Sequence, residues 1–481
     1  MKTLVSQNSP HLHLAISHSK RFWTLLAVTL AIILVLLFPR RAFGSEQVIY
    51  TLTGGADGSG PTGLVEDEAG NLYGTAFSGG SEQAGTVFEL SPPTEPGGTW
   101  TETTHYTFLY SQIQNGVGPA AGMVRDGSGN LYGTTWLGGS GAGGVVFKLS
   151  PPGQPGGTWT YSVLYDFSAP NDGSSPEAPL TMDAAGNLYG TTVSGGNGGC
   201  AGGCGIVFKL ARPTHPGGTW TETILYSFPG TFPGNGGTAG GVTLDANGVV
   251  YGTTVIFGGG GQGTVFRLTP PKSPHGHWTH QVLYAFAGGT DGYSPSSGVT
   301  FDQKGNLYGV TLYGGSGTDC YGGPCGTVYR LTPTSTLPWK HRVIHTFAGG
   351  SDGGYPAPPA QVSLDAAGNL FGTTQIGGGL GGATCANHGC GTVYELRPAG
   401  GRWKETILHA FAGGADGVAP GGLLLGNGNV LYGEAGAGTD GAGVIFEITP
   451  YAFLCIKVWP TLLDQQQFKD VIASGNCGGM E

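Results

Sequence analysis

The chain has 481 residues, of which 95 are glycine and only 10% are charged, 20 basic against 30 acidic. The glycines follow no Gly-X-Y triplet and stand between recurring Val, Leu, Tyr and Phe, which excludes a collagen-like rod and a disordered linker. The acidic balance repels phosphate backbones and anionic lipid, so nucleic acid is excluded as a partner.

Residues 1–45 contain no acidic side chain but carry Lys2, Lys20, Arg21, Arg40 and Arg41 around an uncharged apolar stretch at 22–38. That pattern reads as an export segment. Ala42-Phe43-Gly44 offers small residues at the minus-three and minus-one positions of a cleavage before Ser45. A stretch of this length also lies at the short end of a spanning helix. Residues 1–44 are therefore either a signal peptide or a retained N-terminal membrane anchor, the only membrane contact expected. Without them the chain holds 15 basic and 30 acidic residues, a net charge of −15. The rest of the protein is expected outside the cytoplasm, secreted, periplasmic or on the cell surface.

Residues 45–450 are one segment repeated seven times. Its signature reads Asp183-Ala184-Ala185-Gly186-Asn187-Leu188-Tyr189-Gly190-Thr191-Thr192 in the third copy, and its aromatic anchor falls at Tyr73, Tyr132, Tyr189, Tyr251, Tyr308, Phe371 and Tyr432. An internal period of this kind decides the architecture before any other signal. Each copy contains four short apolar runs between Gly, Pro and Asp clusters, in copy three at 159–167, 178–182, 188–193 and 206–210, the pattern of antiparallel strands. The Asp-x-x-Gly-Asn link is a hairpin turn: the carboxylate accepts local backbone N–H groups and glycine supplies a positive φ. It recurs at Asp67, Asp126, Asp183, Asp245, Asp302 and Asp365, with Gly426 in the seventh copy. Six tryptophans, Trp100, Trp159, Trp220, Trp278, Trp339 and Trp403, open the first runs of copies two to seven. Their regular recurrence marks packing between units. His345 and His409 take the slot held by Tyr106, Tyr165, Tyr226 and Tyr284, and read as aromatic substitutes.

Four-stranded units that repeat about an axis bury their faces against one another. The expected fold is all-β, a seven-bladed propeller of four-stranded antiparallel blades. An open β solenoid would not need a hairpin in every repeat. The copies are similar to kelch and NHL-type propellers, in which the blade runs outward from the axis. That likeness implies that each Trp-led run is the outer strand of the preceding blade. Residues 47–52 then form an outer strand whose partner is the last copy, and the ring closes by pairing the N-terminal strand with the last repeat.

Asn-Leu-Tyr-Gly-Thr-Thr, then Gly-Gly, then Gly-Thr-Val-Phe-x-Leu-x-Pro, seen at 71–92, 187–210 and 306–333, resembles the GloVer (Gloeobacter/Verrucomicrobia-type) tandem repeat of exported bacterial proteins. The resemblance implies an exported surface or secreted repeat protein and brings no catalytic residues with it. Such proteins commonly end in sorting or anchoring tails. The tail at 451–481 has no terminal apolar span and offers a short helix near 462–472 between Cys455 and Cys477.

Eight cysteines form four close pairs: Cys200 with Cys204, Cys320 with Cys325, Cys385 with Cys390, and Cys455 with Cys477. Even number and an export signal point to disulfides. A metal site would need ligands from different copies to converge. Closing so short a loop contributes only about 2 kcal/mol, so each bridge chiefly holds a glycine-rich loop in one shape.

Loops alternate between the two faces of a propeller. One face collects the cysteine loops with the Gly-Gly-x-Asp-Gly links at Asp57, Asp291, Asp352 and Asp416 and the related Asp172, and these five aspartates are the candidate ligand-binding residues. The expected function is a binding or structural propeller for an unknown extracellular ligand, a glycan or a protein, with no cofactor and no metal. An extracellular carbohydrate-active lyase or hydrolase is the alternative, although such a site breaks repeat symmetry near the axis, and here nearly every charged residue sits in a repeated slot. In a third reading the Asp-Gly links bind calcium, with only one carboxylate per copy.

Overall fold

The computed structural model describes residues 46–449, apart from 96, 155, 169–170, 216, 231–239, 256–260, 274–275, 357–360, 380–384, 386–387, 437 and 439–440. The expected export segment, the tail and the Cys455–Cys477 bridge lie outside the described residues. Among the described residues no helix is long and apolar enough to cross a membrane.

The strands form seven antiparallel sheets, each a blade. Blade 1 runs outward through Ser59–Glu66, Leu72–Ser78, Thr86–Ser91 and Thr101–Thr107. The Trp100-led run is thus the outer strand of the blade that precedes its own copy. Blade 7 consists of Leu423–Leu425, Leu431–Ala435 and Val444–Ile448, and its outer strand is Glu46–Thr51, paired from Glu46↔Ile448 to Thr51↔Val444. The seven-bladed ring is closed by its N-terminal strand.

Two details depart from a uniform four-strand unit. The inner strands of blades 2 to 5 pair over only two residues each, Val124–Arg125, Thr181–Met182, Thr243–Leu244 and Thr300–Phe301. In blade 6 the inner strand is split into Gly354–Pro356 and Ser363–Leu364, both paired with Leu370–Ile376.

The signature explains itself at atomic detail in blade 3. Asp183 accepts the N–H groups of Ala185 (3.0 Å) and Asn187 (2.9 Å), the Asn187 amide (2.8 Å) and the Tyr189 hydroxyl (3.1 Å). Gly186 sits at φ +80°, which a β-carbon would strain. Gly190 pairs with Phe208 on the next strand, and a β-carbon there would lie 2.5 Å from the tip of that ring. The glycine is the seat on which the third-strand aromatic stands.

Those aromatics fill the seams between blades, and each of the seven seams holds one buried cluster. The tryptophans close the outer ends: Trp220 lies 6.1 Å from the Tyr132 ring, Trp403 6.0 Å from Tyr308 and Trp100 6.1 Å from Tyr432, each pair joining adjacent blades. Signature threonines stitch the seams nearer the axis, as where Thr75 donates to Ala121 O (3.0 Å) and Thr253 to Ser297 O (2.8 Å).

The closing seam holds Ile49, Leu52, Leu72, Phe88, Tyr432 and Ile445. Leu52 is 1% exposed and takes the place of Phe108, Phe167 and Phe411 in other seams. Leu52→Ala is expected to destabilise the whole ring by about 3 kcal/mol, since both transfer energy and a cavity are at stake. Urea unfolding followed by tryptophan fluorescence should show one transition at lower midpoint; fraying confined to the N-terminal strand would contradict end-to-end closure.

Candidate functional site

The five candidate aspartates are spread one per link around the ring. Each closes its own link by accepting the backbone N–H four residues earlier: Thr53 to Asp57 (2.8 Å), Ser168 to Asp172 (3.0 Å), Ala287 to Asp291 (2.8 Å), Ala348 to Asp352 (2.6 Å) and Ala412 to Asp416 (2.6 Å). The aromatic slot seven residues earlier adds a second donor, with Tyr50, Tyr165 and Tyr284 hydroxyls at 3.1, 3.1 and 2.8 Å. Burial, followed by the adjacent Asp57, raises the Tyr50 hydroxyl well above its ordinary range and keeps it a donor. Asp57 is only 5% exposed. These carboxylates shape the link face from beneath.

Blades 5 and 6 expose something else on that face. Tyr293 and Tyr313 stack at 5.3 Å, Tyr313 meets Tyr355 edge-on at 5.4 Å, Tyr321 lies parallel to Tyr355 at 6.1 Å, and His388 lies 4.1 Å from Tyr321. Tyr321 is 63% exposed. It rides on the loop closed by the Cys320–Cys325 disulfide, and the Tyr355 hydroxyl donates to Cys320 O at 3.0 Å. Tyr321 and Tyr355 hold φ of +52° and +55°, a left-handed backbone that favours glycine. The φ of Tyr355 belongs to a slot that Ser175, Ser294 and Ala419 hold in the same conformation in other blades, whereas that of Tyr321 belongs to its own disulfide loop and lifts an exposed ring. Asp291 and Asp352 close the links that lead into Tyr293 and Tyr355. The cysteine pairs Cys200–Cys204 and Cys385–Cys390 are likewise bonded within their own loops. None of the platform tyrosines is a candidate on sequence grounds. The signal that could have found them is that all four fall outside the seven repeated aromatic slots.

The inner strands enclose an axial cavity of about 710 Å³. Around part of its wall, hydroxyls donate across to the next blade: Thr181 to Val242 O, Thr243 to Val299 O (2.7 Å), Thr300 to Val362 O (2.7 Å) and Ser363 to Leu423 O (2.8 Å). In the same register the remaining arc carries Leu424, Val65 and Val124. Gln361 stands where five other copies have glycine, with its Oε1 3.4 Å from Thr243 Oγ1 and 3.5 Å from Thr300 Oγ1. Glu434 replaces the seam threonine in blade 7, and its Oε1 accepts the N–H groups of Gly422 (2.7 Å) and Gly63 (3.2 Å). Among the described residues lining the cavity Glu434 is the one ionisable group. Glycoside hydrolysis by two carboxyl groups needs a partner across the substrate. Gln361 and Glu434 both depart from the repeat once its copies are aligned, a signal that reading for the shared signature passes over.

Fold and site together define a closed seven-bladed propeller with a uniform turn face and an individualised link face. The sequence matches the Gloeobacter/Verrucomicrobia repeat family over residues 40–254 and 96–322, and the chain belongs to that family. No curated protein matches it. Solved structures similar to it include a gluconolactonase from Xanthomonas campestris (13% identity, 67% of this chain and 83% of that one, TM-score 0.35). Others are a putative glucose dehydrogenase from Thermus thermophilus (14%, 84% and 99%, TM-score 0.36) and the Cps50 (Swd1) propeller domain of Myceliophteria thermophila (10%, 84% and 100%, TM-score 0.45). At such identities none of their activities transfers to this chain.

Burial pushes the Glu434 carboxyl up from 4.5 to about 7. The folded ring therefore holds this proton more tightly than the unfolded chain, so stability falls as pH rises from about 4.5 to about 7 and levels off above, by about 3 kcal/mol in total. Glu434→Gln should match the native protein near pH 4.5 and exceed it by roughly that amount at pH 8 in urea titrations; a constant difference at both pH values would refute the assignment.

Proposed function

We propose that this protein is an exported propeller that binds an extracellular glycan through the tyrosine platform of its link face. The observation that carries this reading is the run of contacting rings from Tyr293 to His388, fixed by a disulfide and held partly in left-handed backbone. A pyranose offers an apolar C–H face and a rim of hydroxyls, and an exposed aromatic face receives the first while leaving the second to solvent or nearby polar groups. The rim carboxylates Asp57, Asp172, Asp291, Asp352 and Asp416 serve the same function by fixing the links, Asp291 and Asp352 most directly. Export is supported by the three bonded cysteine pairs and by the basic, apolar N-terminal sequence. A net negative surface suits neutral sugars better than polyanionic ones.

A glycan array probed with the secreted protein tests this. Tyr321→Ala is expected to weaken a positive signal roughly ten-fold, about 1.4 kcal/mol, with Tm unchanged because the ring is exposed, whereas Tyr321→Phe keeps the stacking face and most of the signal. Binding indifferent to Tyr321→Ala would overturn the platform assignment. Turnover of a polysaccharide, abolished by Glu434→Gln, would overturn the non-catalytic reading.

A further inference from the structure

At five seams the aromatic slot of the outer strand forms a three-residue node with the link aspartate seven residues later and one side chain from the outer strand of the next blade. Where the slot is tyrosine its O–H donates to the link aspartate, as Tyr165 does to Asp172. In two consecutive seams the slot is histidine. His345 meets Asp352 and Glu405, and His409 meets Asp416 and Glu46, the ligand atoms of each trio all lying within 4.8 Å of one another.

We propose that His345, Asp352 and Glu405 form a binding site for a divalent transition-metal ion of the zinc class, and that His409, Asp416 and Glu46 form a wider version of it in the next seam. The distances carry the first point. His345 Nε2 lies 3.5 Å from Asp352 Oδ1 and 3.3 Å from Glu405 Oε1. Nitrogen and oxygen ligands held about 2.0 Å from a tetrahedral ion stand about 3.3 Å apart. In the second trio the corresponding distances from His409 Nε2 are 3.0 Å to Asp416 and 4.0 Å to Glu46.

The second point is an orphaned pair of polar atoms. His345 Nε2 and Glu405 Oε1 are both sealed from solvent, and neither completes a hydrogen bond among the described residues although they face each other. Glu46 Oε1 of the second trio is in the same condition. Sealed polar atoms without partners are costly, and two carboxylates beside one imidazole leave net negative charge in a half-buried seam. A single imidazole with two carboxylates selects ions such as Zn²⁺, Mn²⁺ or Co²⁺ over Ca²⁺, which prefers an all-oxygen shell. A bound ion would clip the outer strands Lys340–Thr346 and Arg402–Ala410 of neighbouring blades together.

The test uses the whole secreted chain, stripped with a chelator and titrated with Zn²⁺ by calorimetry, with bound metal counted after gel filtration. The expected result is at least one equivalent held at micromolar affinity or better, and a Tm raised by zinc. His345→Tyr installs the residue that other seams carry, so the ring should keep its metal-free Tm while losing the tighter equivalent. Glu405→Gln should lose it too, and any second, weaker equivalent should vanish in His409→Tyr. Failure of the native chain to retain zinc, or equivalents that persist in the His345→Tyr, His409→Tyr double variant, would overturn the site.

Discussion

The seam between blade 7 and blade 1 is the contact on which the ring depends. The other seams join blades that follow one another in the chain, whereas this one must bring the two ends of the repeat array together, at a loop-closure cost the others do not meet. The outer strand Glu46–Thr51 meets that demand through its ladder to Val444–Ile448 and through Ile49 and Leu52 in the closing cluster. Blade 7 has also lost two signature groups, the turn aspartate at Gly426 and the seam threonine at Glu434. Carboxylates cross the seam in both directions in their place: Glu66 of blade 1 accepts the Asn427 N–H at 2.7 Å, and Glu434 of blade 7 accepts that of Gly63.

The two faces divide their work by the same logic. On the turn face a carboxylate, a glycine and a tyrosine hydroxyl satisfy one another within ten residues of sequence in five copies, and the sixth keeps the carboxylate and glycine with Phe371 in place of the tyrosine, so the face has little reason to vary. On the link face an aspartate secures only the base of each loop, and the residues beyond it are free to differ. Val117 and Leu137 bridge there in blade 2, Ser174 and Ser194 in blade 3, and Tyr293 and Tyr313 in blade 5. Rigidity below and freedom above is what allows one blade pair to carry aromatic rings while its neighbours carry small residues.

This division also explains what could be read from the amino-acid order. The period, the Asp183-type turn, the Trp-on-Tyr packing and the closing strand are local or repeated, and each shows in a single copy or in the phase of the copies. The bonded pairs at Cys200, Cys320 and Cys385 followed from spacing and an even count. The five link aspartates share a recurring motif and so stand out in the sequence, but their loop-closing bonds depend on donors four and seven residues away that only the folded link brings round. The tyrosine platform unites positions from 293 to 388, and the histidine trios unite strands from different blades. Such groupings are products of the ring, invisible until the blades stand side by side. Histidine in a tyrosine slot reads as an aromatic substitute, and its rings do pack edge-on against Phe347 and Phe411 at 4.7 Å. What that reading omits is the carboxylate supplied by the next blade.

Because the first strand of the array belongs to the last blade, synthesis and assembly are out of step. Blades 1 to 6 can form in the order in which they leave the ribosome or a secretion pore. The strand Glu46–Thr51 emerges before all of them and stays without its ladder until residue 448 has followed. A nascent chain therefore carries a waiting β-edge for nearly its whole length, and a holding factor or an unfolded passage across the membrane would protect it from pairing with the wrong neighbour.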